Sequence, residues 1–138
     1  MSIPIIRLLV DFGLLVLIWM IQCIVYPSFL YFNTENLIKW HRKYTHLIGV
    51  IVSPLMLLQL GITAYQIIIE FSLFNVMSLV IISTVWIVTF LLFVPIHNKI
   101  SKGIVNKEML VSLVTKNWLR TTLWTLLFVL NIIIDFLN

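Results

Sequence analysis

The sequence predicts an all-α fold, a single domain of four transmembrane helices packed as an antiparallel bundle. Three observations carry that prediction. Of 138 residues, 62% are hydrophobic and 10% charged, with a mean hydropathy of +1.12, whereas a soluble domain is roughly half apolar and a quarter charged. Four stretches reach the ~20 predominantly apolar residues that a helix needs to cross a bilayer core. None shows the alternating segments of roughly 10 residues that build a membrane barrel. A soluble fold and a disordered chain are excluded by this composition. The composition also argues against a nucleic-acid binder, because the net charge of +4 belongs to a chain in which basic residues set membrane orientation.

The first helix is expected over residues 8–31. Arg7 precedes it as it would a signal peptide, but the apolar run exceeds the ~7–15 residues of a signal core and no small-x-small cleavage pattern follows, so the helix is expected to be retained. Cys23, the one cysteine, rules out an intramolecular disulfide and reads as a small buried hydrophobe. The second helix is expected over 44–69, the third over 73–96 and the fourth over 119–137. Residues 70–72 make a tight hairpin between the second and third. The first connection, 32–43, reads as a polar loop, and the last, 97–116, as the longest loop, with a short amphipathic helix near 107–114. Pro27 and Pro54 each leave a carbonyl without its helical donor, and Pro95 marks a stop or kink.

Eight of the nine Lys and Arg residues lie in or beside those two loops; only Arg7 lies opposite. The positive-inside rule then predicts a multi-pass protein of the cell membrane with both loops cytoplasmic and both termini extracytoplasmic.

Polar residues recur on one face of each helix: Asp11, Gln22 and Tyr26; His41, Thr45, Gln59, Thr63 and Gln66; Asn75, Ser78, Trp86, Phe90, Phe93 and His97; Asn117, Arg120, Thr121, Trp124, Asn131 and Asp135. Lipid cannot satisfy such groups, so these faces should point inward. Gln22 and Gln59 serve there either as bonds between helices or as the lining of a cavity. All three histidines, His41, His46 and His97, fall at the basic end, at the depth of Glu35, Tyr44, Asn98, Asn117 and Arg120. His41 and His46 stand about 140° apart on a helix and do not chelate. An open metal site on His41, His97 and Glu35 and a haem on His46 and His97 are the alternatives, but the expectation is no metal and no cofactor. Hydrolase, P-loop and dinucleotide motifs are absent from the sequence.

The run Val94-Pro95-Ile96-His97-Asn98-Lys99-Ile100, the later Asn117-Trp118-Leu119-Arg120-Thr121 and the Tyr26-Pro27 pair resemble motifs of small four-helix membrane proteins related to anthrone oxygenase. Lys116 and Trp118 depart from that pattern, in which tryptophan often precedes the Asn and histidine follows it. The resemblance implies a site of His97, Asn98, Asn117 and Arg120, and oxidation of a flat hydrophobic substrate without a tightly bound cofactor.

The residues themselves allow matching chemistry. His97 would take a proton from a phenol or carbon acid, while Arg120 and Asn117 hold the resulting oxyanion. His41, Gln59, Trp86, Phe90 and Trp124 would contact the substrate. A guanidinium one turn inside an apolar segment asks for a partner, either Glu35 or an oxygen of a bound ligand; snorkelling to lipid phosphate is the alternative. Besides this membrane-embedded oxidoreductase, the sequence admits a non-catalytic subunit or a lipid- or small-molecule-binding protein, and also a transporter, which four helices would achieve only as an oligomer. The expected partners are the lipid bilayer and a hydrophobic small molecule; oligomeric state is left open.

Overall fold

The computed structural model describes residues 2–136, and side chains through residue 134. The protein is a bundle of four helices: α1 (Ile3–Tyr31), α2 (Thr34–Ile69), α3 (Leu73–Ser101) and α4 (Lys107–Phe136). All four are long and apolar enough to cross a membrane. Consecutive helices run antiparallel, with α1 packed on α2 and α4, and α3 packed on the same two. The expected residue 137 and the side chain of Asp135 lie outside the described residues.

The helix count matches expectation, but the two basic-end connections do not. The predicted loop 32–43 is largely helix. Asn33 caps α2 by accepting the Asn36 N–H at 2.9 Å, Glu35 sits in the first turn where the helix dipole favours an anion, and Lys39 bonds Glu35 at 2.7 Å one turn on. At 36 residues α2 is roughly 54 Å long, well beyond a ~30 Å bilayer core. The predicted loop 97–116 likewise shrinks to a turn. α3 runs on to Ser101 and stops at Gly103, whose φ of +83° suits a residue without Cβ. The Ile104 N–H closes this end on the Lys99 carbonyl at 2.9 Å. Asn106 then caps α4 by accepting from Met109 at 2.8 Å, and the expected short helix near 107–114 is the first part of α4. Hydropathy finds the lipid-crossing part of a helix and misses polar turns that continue it into water. The hairpin at 70–72 is as expected, with Ser72 accepting from Asn75 at 3.2 Å.

Two wider turns interrupt the helices at matching places. The Tyr26 N–H bonds the Ile21 carbonyl and the Val94 N–H bonds the Thr89 carbonyl, each five residues back, so Ile21–Val25 and Thr89–Phe93 are π turns. Each is followed by the residue that precedes a proline, Pro27 or Pro95. Proline supplies no N–H and its ring crowds the carbonyl four back; a π turn opens the helix just where that conflict arises.

Most of the predicted polar faces turn inward: Asp11, Gln22, Tyr26, His41, Gln59, Thr63, Asn75, Ser78, Phe93, Asn117, Arg120, Thr121, Trp124 and Asn131 are buried, Thr45, Gln66, Trp86 and His97 are half-buried, and Phe90 is exposed. Leu9, Ile24, Val50, Leu57, Ile68 and Leu91 cover the outside. Cys23 corrects the sequence reading, for it is exposed on the outer surface of α1, one position beyond the inward Gln22.

The half of the bundle away from the basic loops is closed by a buried polar network. Arg7, 1% exposed, donates to Gln66 at 2.8 Å, Asn75 at 3.0 Å and Ser78 at 2.6 Å, with Asp11 3.8 Å from its Nε. Asp11 accepts from Gln59 at 2.6 Å and Asn131 at 2.8 Å, so this carboxylate ties α1 to α2 and α4. We expect Asp11→Ala to be among the most destabilising single changes, about 3–5 kcal/mol, because a buried guanidinium loses its counter-ion. Thermal unfolding in detergent checks this; an unchanged midpoint would mean that the neutral acceptors suffice.

Candidate functional site

The basic half of the bundle holds a second polar network, built around the two π turns. Arg120, on the inward face of α4, is 6% exposed. Its Nε and Nη2 donate to Asn117 Oδ1 at 2.9 and 2.7 Å, Nη2 also to Tyr26 Oη at 3.1 Å, and Nη1 to Thr89 Oγ1 at 3.3 Å. The guanidinium carbon lies 3.7 Å from the centre of the Phe93 ring, a desolvated cation–π contact. Thr89 and Phe93 are the first and last residues of the α3 π turn, and Tyr26 comes directly after that of α1. An extra residue in a turn rotates the remainder of the helix by roughly 100°. On α1 that rotation sets the direction of Tyr26, which follows the turn, while on α3 the turn itself begins with Thr89 and ends with Phe93, both in contact with the Arg120 side chain.

Behind Arg120, Asn117 donates to Gln22 at 2.9 Å, Thr121 donates to the same oxygen at 3.2 Å, and Gln22 Nε2 donates to the Val114 carbonyl at 3.2 Å. Asn117 is fully buried. This cluster ties α1 to α4 and holds the Asn117 oxygen against the guanidinium.

On the side toward the loops, Tyr26 Oη is 3.0 Å from His97 Nε2, His97 Nδ1 is 2.8 Å from His41 Nε2, and His41 Nδ1 is 3.0 Å from Ser101 Oγ. The imidazoles are stacked, with ring centres 5.0 Å apart. His41 is fully buried, edge-on to Phe29.

A cavity of about 340 Å³ lies between α2 and α3, with Arg120 and Tyr26 on its inner wall. Trp86, Phe90, Phe93, Tyr44, Ile48, Val52 and Met56 make it mainly apolar; His97, Asn98, Thr45 and Thr89 add polar groups. Phe90 and Val94 on its rim are exposed, so the cavity opens on the outer face of the bundle.

Of the residues singled out from the sequence, His97, Asn98, Arg120, Trp86 and Phe90 meet in this cavity. His41 and Asn117 stand behind it, each bonded to a wall residue. Gln59 belongs to the other network, donating to Asp11 and accepting from Trp124 Nε1 at 3.3 Å. Trp124 sides with a smaller void that Arg120 also borders. Of the two partners considered for Arg120, Glu35 is not within reach: it is exposed and bonded to Lys39, because the 32–43 segment is largely helix and carries Glu35 outward. His46 is exposed too. Among the described residues no three His, Cys, Asp or Glu side chains converge on a possible metal position.

Thr89 and Ser101 are not singled out by the sequence, and Tyr26 is placed by it only on an inward face and beside Pro27, yet all three bond the central groups. A signal was present for the π turns that place Tyr26 and Thr89, since Tyr26 and Val94 each precede a proline at the same depth, in helices of one small bundle. No protein family, no curated protein and no solved structure matches this chain, which leaves the chemistry of the site as the guide to function.

Arg120→Lys keeps the charge but cannot span Asn117, Tyr26 and Thr89 from one nitrogen or lie flat on Phe93. We expect a lower thermal midpoint from the loss of charge-assisted bonds worth about 1.5–3 kcal/mol each; an unchanged midpoint would show that charge and reach are all the position uses. Asn117→Ala should insert normally but also unfold earlier, since it strips Arg120 and Gln22 of buried partners.

Proposed function

We propose that the protein takes a flat, hydrophobic weak acid from the bilayer through the opening between α2 and α3 and oxidises it after removing a proton. Arg120 carries this reading. It is a buried cation with no carboxylate in ion-pair range among the described residues, and it forms part of the wall of an apolar cavity. Its four hydrogen bonds use four of the five N–H groups of a guanidinium, which leaves one on Nη1. A phenolate or enolate oxygen would supply both the missing charge and the missing acceptor. The volume falls within the usual range of small-molecule sites, and Trp86 and Phe90 offer aromatic surface to a planar ligand.

Tyr26 and His97 stand beside the guanidinium as the groups that accept the proton. The resemblance to anthrone oxygenase-like proteins supports the oxidative step. Once a carbon acid of this kind is deprotonated it can react with dioxygen: its CH₂ becomes a carbonyl, one oxygen atom enters the product and the other leaves as water. Non-catalytic binding of the same class of ligand is the second reading. It is favoured by Gln22, Asn117 and Thr121, which bond α1 to α4 and support Arg120 from behind.

The test uses anthrone in proteoliposomes under air, with anthraquinone formation and oxygen uptake followed against protein-free vesicles. Protein-dependent turnover that falls in Arg120→Lys is the expected result. Anthrone retained without turnover moves the protein to the binding reading, and neither retention nor turnover removes both.

The basic end is proposed to face the cytoplasm of a cell-membrane protein, with both termini outside, because eight of nine Lys and Arg lie there. Reporter fusions after Asn138 and at Lys102 should give extracytoplasmic and cytoplasmic signals respectively; the opposite pattern reverses the topology.

A further inference from the structure

Four side chains form an unbroken line from the cavity wall to the basic end of the bundle: Tyr26 of α1, His97 of α3, His41 of α2 and Ser101 at the end of α3, with successive separations of 3.0, 2.8 and 3.0 Å. Each of these groups can both donate and accept a hydrogen bond through the atoms in contact. The neighbouring Gln22–Asn117–Thr121 cluster differs, because its carboxamides offer separate donor and acceptor atoms and do not hand protons on. Joining α2 to α3 would need one bond of any kind. What the bundle holds instead is a run of exchangeable groups, anchored inside by the Arg120 N–H on Tyr26 and outside by Arg42, whose Nε donates to the Ser101 carbonyl at 2.9 Å.

We propose that Tyr26, His97, His41 and Ser101 conduct protons between the cavity and the aqueous surface at the basic end. This deepens the function proposed above, which needs an exit for the ligand's proton, but its test requires no ligand. In the resting arrangement Arg120 donates to Tyr26, the Tyr26 hydroxyl to His97 Nε2, His97 Nδ1–H to His41 Nε2, and His41 Nδ1–H to Ser101 Oγ. A proton arriving on Tyr26 Oη displaces the hydroxyl proton onto His97 Nε2. The Nδ1 proton of His97 then passes to His41 Nε2, that of His41 passes to Ser101, and the Ser101 proton leaves to water. One proton enters and one leaves, every residue keeps its charge, and each imidazole ends as its other tautomer. Arg120 holds its bond to the tyrosine oxygen throughout. The reverse transfer restores the first arrangement and returns a proton to the cavity. His41 touches no ligand in this scheme; it acts through His97.

The test is NMR on the full chain with ¹⁵N-labelled histidine in lipid nanodiscs, the His46 signals being assigned with His46→Gln. Wild type should show a through-bond coupling between one nitrogen of His41 and one of His97, with a single proton on each ring. The exchange of the His97 ring proton with water should slow about tenfold or more in His41→Gln, whose amide can accept from His97 but cannot relay. A merely structural role predicts the opposite, since a loosened site exchanges faster. Ser101→Val, which puts methyl groups where the hydroxyl stood, cuts the same path at its outer end and carries the same expectation should His41→Gln fail to fold. Unchanged or faster exchange at His97 in a folded variant, or absence of the His41–His97 coupling in wild type, overturns the proposal. Failure of anthrone turnover alone would bear on the oxidation and not on the relay.

Discussion

The burial of the Arg120 guanidinium organises the basic half of this protein. A positive charge inside an apolar bundle must be surrounded by acceptors, and here they come from α1, α3 and α4 at once. Arg7 makes an instructive contrast. It is as deeply buried in the other half, but Asp11 stands beside it and Gln66, Asn75 and Ser78 share its remaining donors. The Arg7 cluster is neutralised and packed, which suits a clamp. Around Arg120 the acceptors are neutral, and the ion sits at the wall of a cavity.

That arrangement depends on two helices departing from α geometry at the same depth. In α1 and α3 a π turn precedes a proline, and the residues in and just after these turns are Gln22, Tyr26, Thr89, Phe93 and His97. A regular helix through 21–25 would turn Tyr26 by roughly 100° from its present direction toward Arg120. The prolines that a soluble helix would avoid are tolerated because the widened turn and surrounding side chains take up the disturbed hydrogen bonding.

The site thus combines a rigid polar wall with an open apolar mouth. Asn117 is locked by Gln22, and His97 by Tyr26 and His41, so the bundle itself holds the polar groups in place. Phe90, 55% exposed, belongs to the mouth, whereas Phe93, one turn on, is fully sequestered under Arg120. Two phenylalanines on neighbouring turns therefore serve different surfaces, a distinction that spacing alone does not make.

What the sequence determined by itself is the number of membrane-crossing helices, the tight turn at 70–72, the inward direction of the polar faces and the collection of His41, His97, Asn98, Asn117 and Arg120 at one end. These come from local rules: apolar run length sets a crossing, and polar groups every three or four residues must turn from lipid. The helical extensions at 34–43 and 107–118 escaped it, because hydropathy cannot tell a polar helix in water from a loop, although Asn33 and Asn106 stood ready as caps. That Glu35 points away from Arg120, that Gln59 serves Asp11 and that His41 stacks on His97 emerges from the packing of the four helices alone. The physical reason is rotational phase. Which side chains meet depends on how far each helix is turned about its axis, and here two π turns and the contacts of all four helices set those angles together, beyond the reach of any single segment.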